Sequence, residues 1–75
     1  FNPVTKIRFD IRKSAFAELK IFDMLGREVK TLVSQNLTAG EYEYSFNAAS
    51  LPSGVYFYRL NTEGFTMTKK MVLIK

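Results

Sequence analysis

The stretch TKIRFDIR, residues 5–12, decides the fold class of this chain. Its apolar residues Ile7, Phe9 and Ile11 alternate without interruption with charged residues. Successive side chains of a β-strand point to opposite faces, so this period of two predicts a strand with one buried and one solvated face. The mixed signs of the outer charges are typical of a solvated sheet surface.

The rest of the chain continues in short segments of the same kind, separated by turn signals. Alternation recurs in AELKIF (17–22) and EYEYSF (41–46), and β-branched residues favour a strand in REVKTLV (27–33). VYFYRL (55–60) is apolar on both faces, which is typical of a strand that is central or lies at an interface. About six or seven strands of this length predict a small antiparallel β-sandwich of immunoglobulin-like build. We expect one domain over residues 1–75.

Two turns and one core follow from this assignment. Asp23 can accept hydrogen bonds from the turn backbone and Gly26 can adopt a positive φ, which predicts a hairpin at DMLG (23–26). We also expect Gly54, two residues after Pro52, either to have a positive φ or to lie in close contact with another backbone segment. The predicted core consists of Ile7, Phe9, Leu19, Ile21, Val29, Phe46, Tyr56, Tyr58, Leu60 and Leu73.

Composition excludes several classes of function. The chain contains neither cysteine nor histidine, which excludes a disulfide framework, a thiolate zinc site, a cysteine nucleophile and a histidine base. The carboxylates fall on predicted outer faces or in turns, so we predict no enzyme, no metal site and no cofactor. The net charge of +4 is interleaved with acidic residues, which argues against nucleic acid as a partner. No apolar run approaches the ~18 residues of a membrane span, and we expect no direct membrane insertion.

Four tyrosines, Tyr42, Tyr44, Tyr56 and Tyr58, leave two interpretations open. On one surface they could form an aromatic platform for a sugar. Their large amphipathic rings also suit the core of a small sandwich, and this second interpretation is favoured.

Four short motifs occur in order along the chain. They are Asn2-Pro3, FDMLGREV (22–29), LPSGVY (51–56) and the terminal KKMVLIK (69–75). In these motifs the chain resembles the type A C-terminal sorting domains of the type IX (Por) secretion system of Bacteroidetes and related bacteria. Each motif alone is a weak pattern, but their order along essentially the whole chain is specific.

The resemblance implies a role in secretion rather than in catalysis. Such domains form the carboxyl end of secreted or cell-surface cargo, which a signal peptide first takes to the periplasm. The folded domain then addresses the cargo to the outer-membrane translocon and its receptor for C-terminal signals. In many members a sortase-like cysteine peptidase removes the domain and joins the cargo to an anionic lipopolysaccharide. We expect the chain to be a fragment of a larger protein, with an N-terminal cargo domain. The sequence does not decide whether this member is cleaved.

The last strand is the expected site of recognition. A strand at a sheet edge offers backbone groups to a partner's sheet, and edge lysines both limit indiscriminate pairing and orient an acidic receptor surface. The expected recognition residues are Pro52, Gly54, Tyr56, Lys69, Lys70 and Lys75. The alternatives are a fibronectin-like spacer and a small carbohydrate-binding module of a secreted hydrolase.

Overall fold

A computed structural model describes residues 3–74, and it contains six β-strands and no helix over that range. The strands are β1 (Val4–Ile11), β2 (Ala15–Asp23), β3 (Glu28–Leu37), β4 (Gly40–Asn47), β5 (Gly54–Thr62) and β6 (Phe65–Leu73).

The strands form two antiparallel sheets. The small sheet holds β1 and β4, and the large sheet holds four strands in the order β3-β2-β5-β6. This arrangement confirms the predicted β-sandwich, and β5 lies between two neighbours, the first of the two positions expected for a strand with two apolar faces. A seven-stranded immunoglobulin constant domain places about three strands in its smaller sheet. The small sheet here has two.

One hydrophobic core lies between the sheets and receives side chains from every strand. Its buried members are Ile7, Phe9, Ile11, Ala17, Leu19, Ile21, Val33, Leu37, Phe46, Ala48, Tyr56, Leu60 and Leu73. All predicted core residues are among them except Val29 and Tyr58. Tyr58 is half-buried and packs against this core.

Val29 was wrongly predicted to be buried, since it is 37% exposed. The pairing of β2 with β3 shifts between Leu19 and Lys20, and it shifts again between Ile21 and Phe22. Val29 falls within the second shift and has no partner in the ladder. A β-bulge inserts an extra residue and breaks the alternation of faces, so strict alternation back from Val33 fails before it reaches Val29.

Asp23 organises the hairpin between β2 and β3, as predicted. Its carboxylate accepts hydrogen bonds from the backbone N–H of Leu25 at 2.9 Å and of Arg27 at 3.0 Å, and from Arg27 Nε at 2.8 Å. Gly26 adopts a φ of 82° and donates its N–H to the Asp23 carbonyl at 3.0 Å. The Arg27 backbone N–H is the main cause that lowers the pKa of Asp23. The turn is therefore held by a charged carboxylate.

Candidate recognition surface

The terminal strand β6 is an edge strand of the large sheet, as the sequence led us to expect. Lys69 lies opposite Tyr58 of β5, and Lys70 lies opposite Phe57. Because Tyr58 packs against the core, Lys69 is on the core-facing side of β6 and Lys70 is on its outer side. Both lysines are exposed, as predicted. Lys75 lies outside the described residues.

The charges of Lys69 and Lys70 are not neutralised by the described part of the chain. The ion pairs there join Glu43 to Lys6 and Arg8, Lys20 to Glu18 and Glu28, and Arg27 to Asp23. The hydrogen bond between Lys20 and Glu28 raises the pKa of Lys20 and lowers that of Glu28. The two β6 lysines take part in none of these pairs, so their charge is available to a partner.

The loop before β5 is fixed by Tyr56. Its hydroxyl donates a hydrogen bond to the Pro52 carbonyl at 2.6 Å, and the residue is only 5% exposed. Gly54 has a φ of 156°, which is the first of the two expected alternatives, and no atom lies within 4 Å of an added Cβ. Asn47 begins the loop by accepting the Ala49 N–H at 2.9 Å. Of the predicted recognition residues in this loop, Pro52 is exposed while Tyr56 holds the shape from inside.

The structure brings this loop next to the end of β6. Gly54 pairs with Leu73, and Tyr56 pairs with Met71. Two motifs separated in sequence thus form one continuous surface, which we call the terminal surface: the loop 52–54 and the strand β6. Lys69 and Lys70 precede this junction in β6, and their side chains point to opposite faces of the sheet. These opposite orientations could be predicted from the sequence, because the side chains of adjacent residues in a strand point to opposite faces of the sheet.

The tyrosines do not form an exposed platform. Tyr42 and Tyr44 are half-buried, and their rings stack on Phe9 with centroid distances of 5.6 Å and 5.8 Å. The Tyr42 hydroxyl donates to the Thr38 carbonyl at 2.6 Å. Tyr56 is buried and Tyr58 packs against the core. All four rings fill or flank the core, which is the interpretation that the sequence favoured.

A groove of about 740 Å³ opens between β1 and β6, and sequence reasoning did not predict it. It is lined by residues 8–15 on one side and by Leu60, residues 62–65, Met67 and Lys69 on the other. The two strands belong to different sheets and are far apart in sequence, so no local pattern places them side by side.

Residues 3–74 contain no helix that is long and apolar enough to cross a membrane. Over the same residues, no group of three or more acidic side chains is arranged to hold a metal ion.

A family model described as the secretion system C-terminal sorting domain matches residues 2–75. The chain belongs to this family. Comparisons with curated proteins and with solved structures find no match. The sorting domain is the C-terminal signal for type IX secretion. It therefore interacts with the type IX machinery and directs export to the outer membrane, the cell surface or the medium.

Proposed function

We propose that a receptor of the type IX machinery recognises this sorting domain at the terminal surface. The observation that carries the proposal is the pairing of Gly54 with Leu73, which joins the Leu51–Tyr56 motif to the terminal strand. In this proposal Pro52 and Gly54 present the loop, while Tyr56 maintains its shape. Lys69, Lys70 and Lys75 supply positive charge for an acidic receptor surface.

In this proposal the domain acts as a sorting signal and catalyses no reaction. It follows an N-terminal cargo domain through the periplasm to the outer-membrane translocon. A sortase-like cysteine peptidase is the partner in members that are cleaved. The isolated domain is expected to show no hydrolytic or transfer activity and to need no cofactor. Turnover that copurifies with the domain and disappears when one carboxylate is replaced would contradict this.

The sorting function is tested by fusing these 75 residues to a periplasmically targeted reporter in a host with the type IX machinery. We expect the wild-type domain to export the reporter. Replacing Lys69, Lys70 and Lys75 together by Gln should leave the reporter in the periplasm. Surface substitutions of this kind change stability by within ~0.5 kcal/mol each, so the variant should remain folded.

Lys30→Gln is the matched control for Lys69→Gln and Lys70→Gln. All three lysines are exposed and lie on edge strands of the large sheet, and none belongs to an ion pair in the part of the chain that the structure describes. Lys30 lies on the opposite edge, on β3. Normal export by a folded triple-Gln variant would mean that the three lysines contribute to solubility and not to recognition. A wild-type fusion that stays in the periplasm would overturn the proposal itself.

A further inference from the structure

The sandwich is open on one side. The small sheet has two strands against four in the large one, and β4 is the only described strand that pairs with β1. The groove lies between this unpaired edge of β1 and the core-facing side of β6. β6 is correspondingly less covered than β5: Met67 is half-buried and Phe65 is 53% exposed, whereas Leu60 of β5 is 1% exposed.

The groove combines an apolar lining with an excess of positive charge. Phe9, Ile11, Leu60, Phe65 and Met67 contribute apolar surface. Four cations, Arg8, Arg12, Lys13 and Lys69, line it against two carboxylates, Asp10 and Glu63.

The charged outward-facing side chains of β1 and of the residue after it are three cations, Lys6, Arg8 and Arg12, and the carboxylate of Asp10; Glu41 and Glu43 lie beside them on β4. Lys6 and Arg8 share the single carboxylate of Glu43, at 3.4 Å and 2.6 Å. Glu43 belongs to β4, so both cations are compensated from one side only. A strand on the other side of β1 would place its own outward side chains next to them.

We propose that the groove accepts an extended segment of the receptor, in which acidic and apolar residues alternate, as a third strand of the small sheet paired with β1. This inference rests on the proposed function for the identity of the partner. Its apolar side chains point inward and cover Met67 and Phe65. Its carboxylates point outward beside Lys6, Arg8 and Arg12. Backbone hydrogen bonds to β1 give affinity, and the alternation of side chains gives specificity.

Pairing with β1 is favoured over pairing with the edge of β6 because only a strand paired with β1 would bury the apolar residues that line the groove. A strand added to β6 would extend the large sheet sideways and leave the groove open. A strand added to β1 lies across the core-facing side of β6 and covers its apolar residues Phe65 and Met67. The terminal strand is then recognised through its inner face.

The experiment uses the isotope-labelled 75-residue chain and a blocked peptide of alternating glutamate and valine, about eight to ten residues long as is usual for a strand. Binding is followed by the exchange rates of backbone amides. In an antiparallel ladder alternate residues bond to the same neighbour, so only every second amide of β1 should gain protection. A lysine–valine peptide of the same length is the control, and we expect it to bind roughly tenfold more weakly.

Charge reversal on the protein provides the second arm. Lys6→Glu with Arg12→Glu leaves the Arg8–Glu43 pair in place and should reverse the preference, so that the lysine peptide binds better. The matched control, Lys30→Glu with Arg59→Glu, makes the same change of charge at exposed positions on β3 and β5, away from β1 and the groove, and should retain the wild-type preference.

Protection at β6 or β3 instead of β1, equal affinity for the two peptides, or no protection with peptide up to its solubility limit would each overturn the inference. The measurement does not depend on export. A wild-type fusion that fails to be secreted therefore counts against the proposed function, while absence of β1 protection counts against this binding mode alone.

Discussion

Leu73, the last residue of β6, and Ile74, which follows the strand, allow a loss of folding to be separated from a change at the surface. Leu73 is 1% exposed and Ile74 is 66% exposed. Leu73→Ala removes buried surface and leaves a cavity, which costs about 2–5 kcal/mol. Ile74→Ala changes a largely solvated side chain and should alter stability by within ~0.5 kcal/mol.

The size of the Leu73 effect is large for a domain of this length. At ~0.05–0.15 kcal/mol per residue, a chain of 75 residues has a total stability of roughly 4–11 kcal/mol. Leu73→Ala should therefore remove roughly a fifth of this stability at the least. Urea unfolding of both variants measures this directly, with the denaturant slope used to check that the unfolded states are comparable.

The result also decides how terminal deletions are interpreted. A deletion of residues 71–75 removes Leu73 together with Lys75, so loss of export after such a deletion reports unfolding and loss of recognition together. Ile74→Ala and the lysine variants leave the core intact. If Leu73→Ala and Ile74→Ala gave the same unfolding midpoint, β6 would not close the core and the assigned packing would be wrong.

Three further outcomes are expected. Gly54→Val should cost ~1–3 kcal/mol, because a φ of 156° is strained for a residue with a side chain even though no atom lies within 4 Å of an added Cβ; an unchanged urea midpoint would contradict the turn geometry. Tyr56→Phe should cost ~0.5–1.5 kcal/mol through loss of the bond to the Pro52 carbonyl, and a midpoint equal to wild type would show that this bond contributes nothing. The lowered pKa of Asp23 stabilises the fold above its ordinary value of 3.8, and this contribution is lost as the pH falls through the folded pKa. Wild type should therefore exceed Asp23→Asn in thermal midpoint at pH 7 and lose that advantage in acid; a constant difference across this range would refute the assignment.

Local chemistry in the sequence was sufficient for the elements and for the class of function. Ile7, Phe9 and Ile11 alternate because one face of β1 must be buried, and that requirement is visible in the residues themselves. The turn at Asp23 and Gly26 was equally predictable, since it depends on one side-chain acceptor and one permissive backbone. The absence of histidine and cysteine, together with the order of the four motifs, directed the interpretation toward a sorting domain.

The tertiary structure decided what depends on contacts between distant segments. Val29 lies outside the core because two bulges shift β3 against β2, and a bulge is a property of the pair of strands and not of one of them. The junction of Gly54 with Leu73 depends on the register of β5 with β6, which turns a loop motif and a terminal motif into one surface. The groove exists because the small sheet has too few strands to cover β6. No single stretch of sequence predicts the groove, because its cause is the unequal width of two sheets that come into contact only in the folded chain.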